Sequence, residues 1–600
     1  MSIQYKSIFR RSASLLLSAG LLLGSLSACS GSGRKPVETQ PSQEMQESQE
    51  AFQKFTDEVF KEEVTSNLID LHYLIANPKN YGIDSYSKTY GTIDMSTYKE
   101  DLEEAQEMQD KLKTFERSSL TSSQQVTYDL LEDSLNNVVK EYDYLYYDDP
   151  LKPTIGVQAE LPTLLAEYAF RTETDVKDYL ELMADTDRYF DELVSYEKEK
   201  SEAGLFMSDE CADMVIDDCE SFLSQLDNHF LLTTFEERLD GLEGLDEKQK
   251  AEYIRTNQDL LEHDIADAYH TLIDGITDLK GTGTNEGGLS NYKKGAEYYN
   301  YLLRTNVGTD RTAKELINLV FDRLNEDLNA IHEIYNAHPE YLSETGRFSF
   351  SITDPARILD DLQQKMKNDF PALTKPVDAK IKYVSESMED ALSPAFYLTP
   401  PIDDMDNNNI YINRGTTDNS SIYTTLAHEG YPGHLYQTVY SMQHSGGEPI
   451  RQLLGVTGFS EGWATYVEMM AYQYDTGIEP DRLALEQHNN SFWMGICSLL
   501  DLRIHSEGYS LQDTFNFLSA YYNVSMDDVS ETYYSLVSQP ANYLCYYVGR
   551  LEFEDLKATA QKELGNKFSL KDFHAALLEN GDVPFYILRE YMNDWVQSQK

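Results

Sequence analysis

The chain has 600 residues, with 49 Lys or Arg against 103 Asp or Glu, a formal net charge of −54. A surface this acidic repels phosphate backbones and anionic lipid headgroups, which argues against nucleic acid as a partner and leaves cations and neutral or basic substrates. Hydrophobic residues make up 41% of the chain, enough for a large core and too much for wholesale disorder.

The chain opens with Lys6, Arg10 and Arg11, followed by an apolar run over residues 15–26. That run is shorter than the ~20 residues a membrane-spanning helix needs. It ends in Leu26-Ser27-Ala28-Cys29, small residues before a cysteine. A basic start, an apolar middle and a small-residue cut site predict a secretory signal over residues 1–28. The cysteine after the cut resembles a bacterial lipoprotein lipobox, which implies that Cys29 is lipidated and anchors the mature chain to the cell membrane outside the cytoplasm. Residues 29–50, rich in Gly, Ser, Pro, Gln and Glu, read as a flexible tether. The other cysteines, Cys211, Cys219, Cys497 and Cys545, form no CxxC pair. Cys211 and Cys219 on one straight helix would stand ~12 Å apart, too far to bridge. They read as buried free thiols.

From residue 51 to 290 the pattern is helical, with apolar residues at three- and four-residue spacing over 52–76, 98–115, 122–146 and 175–200. The glycine-rich stretch 281–288 follows a helical pattern rather than a strand. It lacks a following Gly-Lys-Ser/Thr, so it reads as a loop and not as a phosphate cradle. It marks the passage to residues 291–600, the expected catalytic region, with the two regions read as one continuous fold. Another helix is predicted over 312–337. Alternating segments at 380–384, 395–398 and 409–413 predict a small sheet, with Pro400, Pro401 and residues 403–408 as turns. The fold class is mainly α, a large multi-helix fold with a small β-sheet beside the most informative motif.

That motif is TTLAHEGYPGHLYQTVY over residues 424–440. In an HExxH helix two histidines on one face bind zinc and the glutamate works on water. Here His434 follows His428 by six residues, which on a regular helix leaves the imidazoles ~120° apart around the axis. Gly430-Tyr431-Pro432-Gly433 lies between them, and Pro and Gly permit a bulge that returns His434 to His428. The chain carries its own control: His332 and His338 share the spacing without Gly or Pro, so their helix should be regular and the two should diverge. A third ligand is expected at Glu461, within VTGFSEGWATYVEM (456–469). Glu468, seven residues on and on the same helical face, is placed to hydrogen-bond a ligating histidine. Phe459, Trp463, Ala464, Tyr466 and Val467 make this helix apolar, and a glutamate buried there needs a partner.

HEGYPGHLYQ followed by FSEGWATYVE resembles the bacterial domain-of-unknown-function 885 family, with its HExxPGH and EGWA motifs. YKKGAEYYNYLLR (292–304), FYLTPPIDDMDNNNIYINRG (396–415), PANYLCYYVG (540–549) and FHAALLENGDVP (573–584) are similar to further blocks of it, in the same order. The family in turn resembles gluzincin-type zinc metallopeptidases. The resemblance implies a largely helical fold with a deep cleft and one zinc ion at its floor. Leu435 departs from the pattern, standing where many relatives have a second histidine. Tyr546 matches a family tyrosine and could donate to an oxyanion, with Tyr543 and Tyr547 as rivals. His505 matches a family histidine and could bind substrate or donate. His574 reads as substrate-binding or structural. Arg503 and Arg550 read as carboxylate-holding or as surface ion pairs.

These features predict an extracytoplasmic zinc-dependent hydrolase acting on a peptide or small amide. His428, His434 and Glu461 hold the metal, Glu429 moves the proton, and Tyr546 with His505 stabilises the oxyanion. The strand at 409–413 offers a sheet edge to an extended peptide. Two alternatives are a non-catalytic binding lipoprotein on the same fold, which would not require Glu429, and a metal-dependent hydrolase of a non-peptide amide or ester. Nothing in the sequence indicates an oligomeric state.

Overall fold

The computed structural model describes residues 42–342, 348–384, 389, 392–444 and 448–600. The signal segment and Cys29 lie outside the described residues. Helix begins at Gln43, inside the segment read as tether, because Ser42 caps it by accepting the Met45 N–H and Gln, Glu and Met favour helix. The segment 29–50 is therefore helical from Gln43 on, and its residues before 42 lie outside the described residues.

The predicted helix over 52–76 is two helices, Gln43–Val64 and Leu68–Leu74, separated where Asn67 caps the second by accepting the Asp70 N–H. The other predicted helices stand close to their expected bounds as Met95–Leu112, Ser122–Glu141, Glu173–Glu202 and Ala313–Ala337. Reciprocal capping boxes fix two of the starts, Thr121 with Gln124 and Thr312 with Glu315. The described residues are mainly helical, and among them no helix is long and apolar enough to cross a membrane.

Tyrosine is heavily used as a core residue. Tyr73, Tyr269 and Tyr436 are buried and donate to the carbonyls of Leu164, Gln158 and Pro371. Each buries a large ring while its hydroxyl finds a partner. All four cysteines after residue 42 are buried and unpaired, with Cys211 and Cys219 on one helix, Asp209–Ser224. Burial pushes the Cys211 thiol up to about 11, so it stays protonated and unreactive at neutral pH. The 281–288 stretch is a packed loop: a Cβ on Gly283 or Gly288 would come within 2.4 Å of the carbonyl oxygen of Met207 or Ile504.

Three strands form one sheet in the order β1–β3–β2, with β1 at Ala379–Tyr383, β2 at Ala395–Leu398 and β3 at Asn408–Ile412. β1 pairs with β3 in parallel and β2 pairs with β3 antiparallel, Ala395 opposite Ile412 and Leu398 opposite Asn409. β3 is therefore central and buried throughout. It offers no edge to a peptide, which corrects the expectation placed on 409–413. The free edge nearer the site belongs to β2.

Two helices form the floor of the site, Thr457–Ala471 and Asn542–Leu564. They meet backbone to backbone at Gly458, Gly462 and Gly549, where a Cβ on Gly549 would fall 2.2 Å from the Gly458 carbonyl oxygen. The glycines of the EGWA and YYVG segments thus set the close approach that brings Tyr546 toward Glu461.

Candidate metal centre

His428 and Glu429 end the helix Ile422–Glu429, and His434 begins the helix His434–His444. The expected bulge is a complete break. Gly430 leaves the helix at φ −109° and ψ −97°, and Tyr431–Pro432 is a cis peptide. The turn is held at several points. Trp463 Nε1 donates to the Pro432 carbonyl at 3.0 Å, and the Tyr436 N–H donates to the Gly430 carbonyl at 3.2 Å. A Cβ on Gly433 would stand 1.7 Å from the His428 carbonyl oxygen, so only glycine fits there. The result is two imidazoles with centroids 4.8 Å apart and planes at 83°.

Glu461 enters from the helix Thr457–Ala471. Its Oε2 lies 3.4 Å from His428 Nε2 and 3.5 Å from His434 Nε2. Three ligand atoms, one from each residue, lie within 4.8 Å of one another. Tetrahedral zinc with bonds of ~2.0–2.1 Å separates its ligands by ~3.4 Å, so these side chains fit such an ion. The fit has a second support: Glu461 Oε2 is buried without a hydrogen-bond partner, a carboxylate oxygen that calls for a cation. The site favours positive charge. Burial alone would lower the His428 pKa, but Glu461 and Glu468 beside it hold it well above the ordinary value. Burial would raise Glu461, yet His434 and His428 hold it well below the carboxylate range.

Glu468 accepts from His428 Nδ1 at 3.2 Å through Oε2, and its Oε1 accepts from Asn490 Nδ2 at 3.2 Å. This bond assigns the proton of neutral His428 to Nδ1 and leaves the Nε2 lone pair facing Glu461, where it could ligate a metal. Asn490, on the helix Pro480–Glu507, sits in no motif, and no signal in the sequence points to it. Glu429 accepts the Tyr397 N–H of β2 on Oε2 at 2.8 Å, while its Oε1 is 4.0 Å from His428 Nε2. Burial lifts its carboxyl above the ordinary value, against the pull of the two histidines. Tyr546 is centred 6.4 Å from the His428 ring. The negative charge of Glu461, with burial, holds its phenol well above 10, so it remains a donor.

These groups share a cavity of about 450 Å3, lined by β2 on one side and reaching Arg451 and Asp582 on another. Of the three rival tyrosines, Tyr546 lines it and Tyr543 and Tyr547 do not.

Four further candidates do not line this cavity: the expected substrate contact of His505 is corrected, while His574 takes the structural alternative and Arg503 and Arg550 the ion-pair alternative, with Glu507 and Glu554. His505 is buried with both nitrogens committed, Nδ1 accepting the Leu289 N–H and Nε2 donating to the Leu536 carbonyl. Burial pushes it down to about 4. His574 donates from Nδ1 to the Asp369 carbonyl, meets the Tyr466 hydroxyl at Nε2 and stacks on Phe370 at 4.3 Å. Arg503 donates to the Tyr509 hydroxyl. Arg550 is buried, donates to Ser491 Oγ and lies over the Tyr547 ring. The control pair behaves as its regular helix dictates. His338 lies just past the end of Ala313–Ala337, between Glu340 and Asp481, and the trio His338, Glu479 and Asp481 does not include His332.

The fold and site define a mainly helical protein whose cavity floor carries two histidines and a glutamate spaced as a group that could hold a metal ion. The chain belongs to the DUF885 family, bacterial proteins of unknown function, whose model matches residues 79–592. No curated protein matches it. Its fold is similar to that of a protein described as a lipoprotein from Colwellia psychrerythraea, with a TM-score of 0.79 at 18% identity over 92% of this chain and 99% of that one. A second similar structure is described as a lipoprotein of unknown function from Shewanella oneidensis, with a TM-score of 0.61 at 18% identity over 90% and 99%.

Proposed function

We propose that the protein is an extracytoplasmic, lipid-anchored, zinc-dependent hydrolase that cuts peptides. The observation that carries this reading is the convergence of His428, His434 and Glu461 at ligand spacing with Glu429 beside them. The location rests on the pattern that ends at Cys29 and agrees with the lipoprotein descriptions of the two similar structures.

A zinc ion held by His428, His434 and Glu461 supplies Lewis acidity to a carbonyl and to a water molecule. The rest is done by the chain. Glu429, oriented by the Tyr397 N–H and made more basic by burial, takes a proton from water at its free oxygen and delivers it to the leaving nitrogen. Tyr546 donates its phenol proton in a hydrogen bond to the oxyanion. Glu468 fixes the His428 ring. The Tyr397 N–H points away from β3 toward Glu429, so the open edge of β2 faces the site and can pair with an extended peptide.

The test is cleavage of a mixed peptide library by the wild-type protein and by Glu429→Gln. Cleavage by the wild type that vanishes in Glu429→Gln is the expected result. A zinc-loaded wild-type protein that cleaves no peptide would contradict the reading.

A further inference from the structure

The cavity has a second charged end that the chemistry above does not use. Asp582 sits in the turn between the helices Leu570–Asn580 and Phe585–Gln599 and lines the cavity together with Gly455 and Arg451. Its Oδ1 accepts the Val456 N–H at 2.9 Å. Val456 caps the helix that carries Glu461. Val456 precedes that helix and Glu461 lies about one turn into it, so Asp582 stands at the helix N-terminal end of the cavity, about a turn from the ligand glutamate.

The other oxygen, Oδ2, faces Gly455: a Cβ there would come within 2.9 Å of it. The missing side chain leaves this oxygen open to the cavity. Among the described residues no Lys, Arg or His forms an ion pair with Asp582. Arg451, which lines the same end, turns its Nη2 onto the Asn580 carbonyl. Burial pushes the Asp582 carboxyl up to about 7, against the Val456 bond and the Arg451 charge. A carboxylate held this way is short of positive charge, and a cation brought by a ligand would supply it.

We propose that Asp582 anchors a cation-binding subsite, so that the preferred substrate carries an ammonium or guanidinium group that reaches the Asp582 end of the cavity while the bond to be cut lies at the His428, His434 and Glu461 end. The inference rests on the peptidase reading and names its substrate class. The cation is either a free α-ammonium or the tip of one Lys or Arg side chain.

The test is equilibrium binding of four alanine-based pentapeptides to full-length, zinc-loaded Glu429→Gln. Their central residue is Lys or norleucine, and each has a free or an acetylated N-terminus. At least one cationic peptide is expected to bind about tenfold more tightly than its neutral counterpart, and the pair that differs identifies which source of charge is read. Adding Asp582→Asn, which keeps an acceptor for the Val456 N–H, should bring that ratio to within about twofold, and Asp582→Glu should restore part of it. Gly455→Ala, which crowds Oδ2, should reduce the ratio as well and serves if Asp582→Asn does not fold. A ratio unchanged by these variants, equal binding of cationic and neutral peptides, or no binding of any of the four overturns the proposal. Failure of the peptidase reading would show separately, as a wild-type protein that binds these peptides but cleaves none.

Discussion

Glu468 touches no substrate in this account, yet it decides which nitrogen of His428 faces Glu461 and the proposed zinc. Replacing it with Ala removes the acceptor at Nδ1 and should weaken zinc binding by ~10–100-fold, measured by competition with a chelator. Glu468→Gln, which keeps an acceptor, should lose less. Tyr546→Phe removes one oxyanion donor and should lower kcat by ~10²–10³-fold while zinc content is retained, because the phenol is not a ligand. At this scale the sequence was legible where chemistry and spacing coincide. His428, Glu429, His434 and Glu461 fall in two short motifs, and a helix plus a turn bring those motifs together. The sequence places His505 at the substrate and leaves His574, Arg503 and Arg550 between a substrate and a structural role, because residue type and block membership say nothing of direction. The histidines meet carbonyls and a hydroxyl away from the cavity, and each arginine meets a hydroxyl and a glutamate one turn on.

The element that makes the site is the break between the two histidine helices. A regular helix would keep the imidazoles apart, and the break succeeds because Gly433 passes against the His428 carbonyl and Trp463 ties down the Pro432 carbonyl. Gly433→Ala should therefore destabilise the protein by about 1–3 kcal/mol in thermal or denaturant unfolding and should also release the metal. An alanine variant that unfolds as the wild type does and keeps its metal would refute this role. Gly and Pro at 430–433 announced a departure from helix, but a bulge and a full break share that signature. The strands were legible from alternation to within a residue. Their order in the sheet was not, because β2 becomes the edge only when β1 crosses to the far side of β3.

Over the whole molecule the acidity seen in the composition concentrates no chemistry of its own, and most of the 103 acidic residues serve solubility. One buried exception is measurable. Glu197 is fully buried, neither of its oxygens has a hydrogen-bond partner, and burial pushes its carboxyl up to about 8. Its folded pKa lies above its unfolded one. The stability it contributes is therefore fully present below about pH 4.5 and is lost as pH rises toward 8. Between pH 5 and 7 the unfolding free energy of the wild type should fall more steeply than that of Glu197→Gln, by about 1.4 kcal/mol per pH unit at most. Equal slopes would show that the group titrates normally.

The central claim is that His428, His434 and Glu461 form a zinc site, and metal stoichiometry by native mass spectrometry tests it most directly. The account predicts one zinc ion per chain in the wild type and in Glu429→Gln, and none in Glu461→Ala or His434→Ala. Full zinc occupancy in Glu461→Ala, or a wild-type protein that takes up no metal when zinc is supplied, would contradict it.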